Sequence, residues 1–221
     1  MKAKDILAHV DHTILKQAAT REDVLKICDE AVRYRCRSVM IPSSFVRDAR
    51  DVFGEKLCIG TVIGFPNGNC NTAAKTAEAA QAIADGADEL DMVNNIGRLK
   101  GGETDYVTNE IRLVKSICGS RILKVIVETC YLTEDEKKTA CKCVTDGGAD
   151  MIKTSTGFGT GGATHEDIEL FKQNIGSNIS IKAAGGIHTR EEMESYLEQG
   201  CERLGASAAV SVLKDELGED I

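Results

Sequence analysis

Gly148-Ala149-Asp150-Met151-Ile152 reads as the end of a helix followed at once by the start of a strand, and the chain repeats it. Gly86-Ala87-Asp88-Glu89-Leu90 and Gly200-Cys201-Glu202-Arg203-Leu204 share its glycine, small residue, acid and then an apolar residue. Glycine takes the left-handed conformation that ends a helix, and the apolar residues suit a strand entering a core. The spacings imply α/β units of roughly thirty residues each. Outward from these junctions, strand-like runs fall near 6–11, 37–41, 57–63, 88–93, 121–128, 149–153, 178–182 and 202–206. Helical stretches separate them.

A second repeat marks helix starts. Thr20-x-x-Asp23, Thr133-x-x-Glu136, Thr164-x-x-Asp167 and Thr189-x-x-Glu192 each offer a hydroxyl to a free backbone N–H. The acid three residues on resembles a capping box and suits the positive helix end. Apolar stripes follow, as in Val24, Ile27, Cys28, Ala31 and Val32. Eight alternating units without a linker predict one domain over 1–221, an α/β fold of the closed (β/α)8 TIM-barrel kind. No GxGxxG follows the first strand, which argues against a dinucleotide-binding sheet.

Composition narrows the function. With 27 basic and 35 acidic residues the net charge is -8, and no run of Lys or Arg offers a surface to nucleic acid. The first apolar stretch is broken by His9 and Asp11, so neither a signal peptide nor a membrane span fits, and a cytoplasmic location is expected. The nine cysteines are scattered and lack a CxxC pair, which reads as reduced thiols packed as small hydrophobes. None of His9, His12, His165 and His188 pairs with Cys or an acid at zinc-ligand spacing, so no catalytic metal is expected.

In such barrels the reactive residues lie at the C-terminal ends of strands. The sixth run ends Ile152-Lys153-Thr154-Ser155-Thr156-Gly157 and the seventh Ile181-Lys182-Ala183-Ala184-Gly185-Gly186. Two lysines on adjacent strands can meet. A lysine beside another cation, partly desolvated, sheds its proton more readily and becomes a nucleophilic amine. The plainer alternative is a pair of surface lysines with snorkelling side chains. Asp91, inside Leu90-Asp91-Met92-Val93, is a carboxylate in an apolar run, placed either to move protons or to hold Lys182 as a counter-ion. Asp11 is a similar candidate on the first strand. Gly185-Gly186 after strand seven and Gly205-Ala206-Ser207 after strand eight fall where these barrels bind phosphate. Thr156, Gly157 and Gly159-Thr160-Gly161-Gly162 stand ready to close that site.

These residues resemble the deoxyribose-phosphate aldolase family almost throughout, from Val10-Asp11-His12-Thr13 to Gly205-Ala206-Ser207. The most specific pieces are Gly64-Phe65-Pro66, Glu89-Leu90-Asp91-Met92-Val93, Lys153-Thr154-Ser155-Thr156-Gly157-Phe158-Gly159 and Lys182-Ala183-Ala184-Gly185-Gly186-Ile187. The resemblance implies reversible cleavage of 2-deoxy-D-ribose 5-phosphate to D-glyceraldehyde 3-phosphate and acetaldehyde, with no cofactor. It implies Lys153 as the Schiff-base lysine, Lys182 as the cation that depresses its proton affinity, and Asp91 as an acid/base acting through water. Asp11, Thr156, Gly157, Gly185, Gly186 and Ser207 are implied to hold the substrate, and a homo-oligomer, dimer or tetramer, is expected.

The chain also departs from the family pattern. Val39-Met40-Ile41-Pro42-Ser43 stands where Val-Cys-Val-Asn-Pro is usual, and Ala208 follows Ser207 where some members have a second serine. These changes bear on selectivity more than on reaction type. The competing readings are another lysine-dependent sugar-phosphate aldolase or transaldolase, and a non-catalytic sugar-phosphate-binding barrel.

Overall fold

The computed structural model describes residues 1–217. Eight parallel strands close on themselves in chain order, β1 pairing with both β2 and β8. They are β1 Val10–Thr13, β2 Ser38–Ile41, β3 Ile59–Ile63, β4 Glu89–Val93, β5 Ile122–Ile126, β6 Met151–Lys153, β7 Ser180–Ala184 and β8 Arg203–Ala206. The helices among the described residues are α1 Ala3–Leu7, α2 Arg21–Arg33, α3 Val46–Phe53, α4 Thr72–Ala84, α5 Ile96–Lys100, α6 Thr104–Cys118, α7 Glu134–Asp146, α8 His165–Asn174, α9 Arg190–Glu198 and α10 Ala209–Leu213. This is the (β/α)8 barrel that the repeats imply. None of these helices is long and apolar enough to cross a membrane.

Alternation along the strands divides the interior into two chemistries. Leu90, Met92, Leu123, Val125, Ile152, Ile181, Ala183 and Leu204 join an apolar shell with helix residues such as Cys28, Ala79, Ile111, Val144, Phe171 and Met193. The intervening strand positions, Asp11, Glu89, Asp91, Lys124, Lys153, Lys182 and Arg203, are buried too, and they are charged. Met40 is fully buried, and a Cβ on Gly60 would lie 2.3 Å from its sulfur, so the small residue on β3 makes room for it.

The helix-to-strand junctions work as their residues suggest. Gly86, Gly148 and Gly200 have φ of 107°, 74° and 105°, the left-handed region open to glycine. The acid that follows binds the neighbouring strand. Asp88 accepts the Ile59 N–H at 2.8 Å, and Asp150 accepts the Leu123 N–H at 2.8 Å. Each carboxylate thereby satisfies a strand-end donor and sets where the next strand enters.

Thr20, Thr133 and Thr189 form complete capping boxes with Asp23, Glu136 and Glu192. Thr164 differs: its hydroxyl accepts the Asp167 N–H, but the Asp167 carboxylate turns to Lys137 at 2.6 Å instead of back to the cap. A further difference lies at the N-terminus. The run expected as strand 6–11 begins as helix, with Ile6 and Leu7 fully buried on α1 and the strand starting only at Val10. Its apolar residues pack the outer shell, where helix and strand present equally good hydrophobic surface. Thr133→Ala removes one acceptor of a full capping box and should cost about 1 kcal/mol of stability. The urea midpoint should fall with the slope unchanged.

Candidate active site

The charged interior is one connected cluster. The strand register puts Asp91 opposite Lys124, Lys153 opposite Lys182, and Lys182 opposite Arg203. Asp91 Oδ2 accepts from Lys153 Nζ and from Lys182 Nζ, both at 2.7 Å, while its Oδ1 accepts from Lys124 Nζ at 2.9 Å. Lys124 also reaches Glu89 at 2.6 Å, and Arg203 spans Glu89 and Asp11. Asp11 takes Lys182 on one oxygen and the Ser38 hydroxyl, at 2.7 Å, on the other.

Four cations, Lys124, Lys153, Lys182 and Arg203, thus face three carboxylates, Asp11, Glu89 and Asp91. With every group ionised the cluster carries one positive charge too many. Burial alone would raise the acids, but the surrounding ammonium and guanidinium groups outweigh it and hold Asp11, Glu89 and Asp91 below the usual carboxylate range. Burial opposes the charge on Lys124 and Arg203 as well, yet the carboxylates around them raise both. Lys153 is the exception. Burial pushes it down, Asp91 pulls it up, and Lys182 and Lys124 push it down again, leaving it at about 8. It is the member of the cluster at the mouth, 4% exposed, and the one that releases its proton near neutrality.

Lys153 opens on a cavity of about 590 Å³, bordered by Thr156, Gly157, Gly185, Gly186 and Ser207. Gly157, Gly185 and Gly186 have φ of 84°, 84° and 76°, so these loops take turns that a side chain would strain. Among the described residues, the N–H groups of Gly157, Gly186 and Ser207 have no hydrogen-bond partner. Three free amides on one wall suit an anion. Phe158 at the mouth meets Phe65 edge to face at 5.3 Å, which accounts for the aromatic residue of Gly64-Phe65-Pro66.

The structure therefore brings Lys153, Lys182 and Asp91 together at one end of the barrel. Asp11 lies in the same buried layer: like Asp91 and Lys182 it is fully buried and off the cavity lining, and its oxygens are engaged by Lys182, Arg203 and Ser38. Thr156 borders the cavity, and its hydroxyl donates to Glu128.

Lys124, Glu89 and Arg203 were missed in the sequence. Their signal was present, since Ile122-Leu123-Lys124-Val125-Ile126 places a charge in an apolar strand as plainly as Asp91 does. Among the described residues no three His, Cys, Asp or Glu converge as a metal-binding group. Burial pushes the thiols of Cys28, Cys141 and Cys201 up to about 12, far from a nucleophilic range.

Barrel, buried lysine cluster and glycine-lined cavity together define an aldolase-like site. A family model described as DeoC/LacD family aldolase matches residues 6–216, and the chain belongs to that family of aldolases. Within it, the deoxyribose-phosphate aldolase of Clostridium botulinum (strain Alaska E43 / Type E3) is 55% identical over 216 residues, 98% of each chain. That of Clostridioides difficile (strain 630) is 52% identical over 213 residues, covering 96% of this chain and 97% of its own. Among solved structures, the tetrameric deoxyribose phosphate aldolase from Aeropyrum pernix is 26% identical with a TM-score of 0.88, covering 98% of this chain and 93% of its own.

The excess charge makes a pH prediction. Lys182→Met removes a cation beside Lys153 and leaves Asp11 and Asp91 less neutralised, so Lys153 should hold its proton to higher pH. The rate at which cyanoborohydride traps acetaldehyde on the protein, followed from pH 6 to 10, should rise through about pH 8 in the wild type. In the variant the rise should move at least about one unit towards alkali.

Proposed function

We propose that the protein cleaves 2-deoxy-D-ribose 5-phosphate reversibly to D-glyceraldehyde 3-phosphate and acetaldehyde through an imine on Lys153. The observation that carries this is a buried lysine, held at about 8 by burial and by its neighbouring cations, opening on a cavity with three free amides. The names of the relatives supply the sugar.

In the forward direction the neutral Lys153 amine adds to the C1 aldehyde, one proton is taken up from solvent and water leaves, giving an iminium; the final hydrolysis returns that proton. The C3 hydroxyl then loses its proton and the C2–C3 bond breaks. Its electron pair moves onto the iminium to form an enamine, and C3 becomes the aldehyde of glyceraldehyde 3-phosphate. A proton delivered to C2 and hydrolysis of the resulting imine release acetaldehyde and restore Lys153. Asp91 and Lys182, hydrogen-bonded to each other beside Lys153, are the proton relay for the C3 hydroxyl and for C2. The free amides of Gly157, Gly186 and Ser207 bind the phosphate, with Gly185 shaping the turn.

The protein is also proposed to act as a homo-oligomer, as its relative from Aeropyrum pernix is tetrameric. Its nine unpaired cysteines suit the reducing cytoplasm.

A coupled assay should detect glyceraldehyde 3-phosphate from deoxyribose 5-phosphate, and borohydride with acetaldehyde should leave a reduced adduct that mass spectrometry locates on Lys153. An adduct on Lys182, or on no lysine, would overturn the mechanism. Trapping without cleavage of this sugar would point to another sugar-phosphate aldolase.

Asp91→Asn tests the relay. It should lower kcat by roughly 10²–10⁴, a loss that persists across the pH range while imine trapping at Lys153 continues. A kcat within a few-fold of wild type, with only the melting temperature lowered, would make Asp91 a counter-ion alone.

A further inference from the structure

Glu128 stands two residues beyond β5 in a left-handed backbone conformation, φ 57° and ψ 67°, which costs energy for any residue with a Cβ. Its side chain is buried, and no cation among the described residues pairs with it. A buried carboxylate without an ion-pair partner persists where strong hydrogen bonds replace its hydration. Both of its oxygens bind Thr156, and Oε1 also accepts from the Cys130 thiol at 4.0 Å. Oε1 accepts the Thr156 N–H at 3.1 Å and Oε2 accepts the Thr156 hydroxyl.

The Thr156 oxygen in turn accepts the Phe158 N–H at 3.0 Å. Gly159 closes over the same carboxylate: a Cβ there would lie 2.8 Å from Cys130 Sγ and 3.3 Å from the Glu128 carboxyl group. The segment that follows Lys153 is therefore wrapped around Glu128. Between the two tethered residues, Thr156 and Phe158, lies Gly157, whose N–H is left free on the cavity wall.

We propose that Glu128 is a positioning residue for phosphate binding: by tethering Thr156 through both its N–H and its hydroxyl, it holds the 154–159 loop so that Gly157 presents its N–H to the anion. The proposal rests on the reading of this cavity as a sugar-phosphate site. A neutral carboxamide in place of Glu128 keeps one acceptor but sets an N–H against the hydroxyl, so the tether loosens while the volume is preserved.

The test compares wild type, Glu128→Gln, Thr156→Val and the double variant. Glu128→Gln should weaken inorganic phosphate binding, read by calorimetry, and raise KM for deoxyribose 5-phosphate, each about tenfold. KM for unphosphorylated deoxyribose and the trapping of acetaldehyde on Lys153 should stay within about threefold of wild type. Thr156→Val should reproduce the effect, and the double variant should be no worse than either single one, because both break the same tether.

Equal losses on both sugars, or unchanged phosphate affinity with only a lower melting temperature, would reduce Glu128 to a structural residue. Additive effects in the double variant would also overturn the tether. Failure of wild-type trapping would instead refute the lysine mechanism, while the phosphate titration still judges Glu128. Wild-type protein that binds no phosphate would overturn both the anion site and the proposal.

Discussion

The surplus of one positive charge inside the barrel is the constraint on which the rest of the site depends. Seven ionisable side chains are taken out of water together, and burying them singly would be prohibitive. Ringed in register across the strands, they neutralise one another except for one charge, and that charge is most easily given up by Lys153 at the open end. Deprotonation of Lys153 brings the cluster to balance. The low proton affinity of this lysine thus follows from its burial first and then from the count of charges around it. Removing a carboxylate below it would act on Lys153 in the opposite sense from removing a cation.

This arrangement couples stability to function. Lys124 and Arg203 occupy interior positions that other barrels fill with branched apolar residues, and they make no contact with the cavity. Their work is to hold Asp11, Glu89 and Asp91 ionised. Truncating either leaves a buried carboxylate uncompensated, typically a loss of about 3–5 kcal/mol. Asp11 belongs to this supporting layer, joining Lys182 to Arg203 and Ser38.

What could be read from the chain follows the physics of each feature. Local signals were legible: glycine at the helix ends, threonine caps, and polar residues closing apolar runs all act within a few residues of where they stand. The barrel and the pair Lys153 and Lys182 follow from them. The depth of the charge cluster was not legible. Lys124 inside an apolar strand marks a charge out of place, but which carboxylates it meets across the barrel axis is decided only by closure of the sheet. The same limit placed Ile6 and Leu7 in a strand, and left the end of β5 at Glu128 when the ladder stops at Ile126. Glu128 gave no local sign because its partner, Thr156, lies 28 residues on.

The free amides beside Lys153 have a further consequence for the proposed chemistry. Lys16 borders the same cavity, and a cation there would strengthen phosphate binding while opposing the iminium proposed on Lys153. Amide donors would add hydrogen bonds to the phosphate without adding charge. A phosphate dianion held there would favour the iminium over the neutral amine, since only the former is charged. Its field would then stabilise the covalent intermediate more than the free enzyme, an interaction of the kind that speeds a reaction instead of merely tightening the encounter. An unphosphorylated sugar lacks that contribution even when it reaches the same lysine.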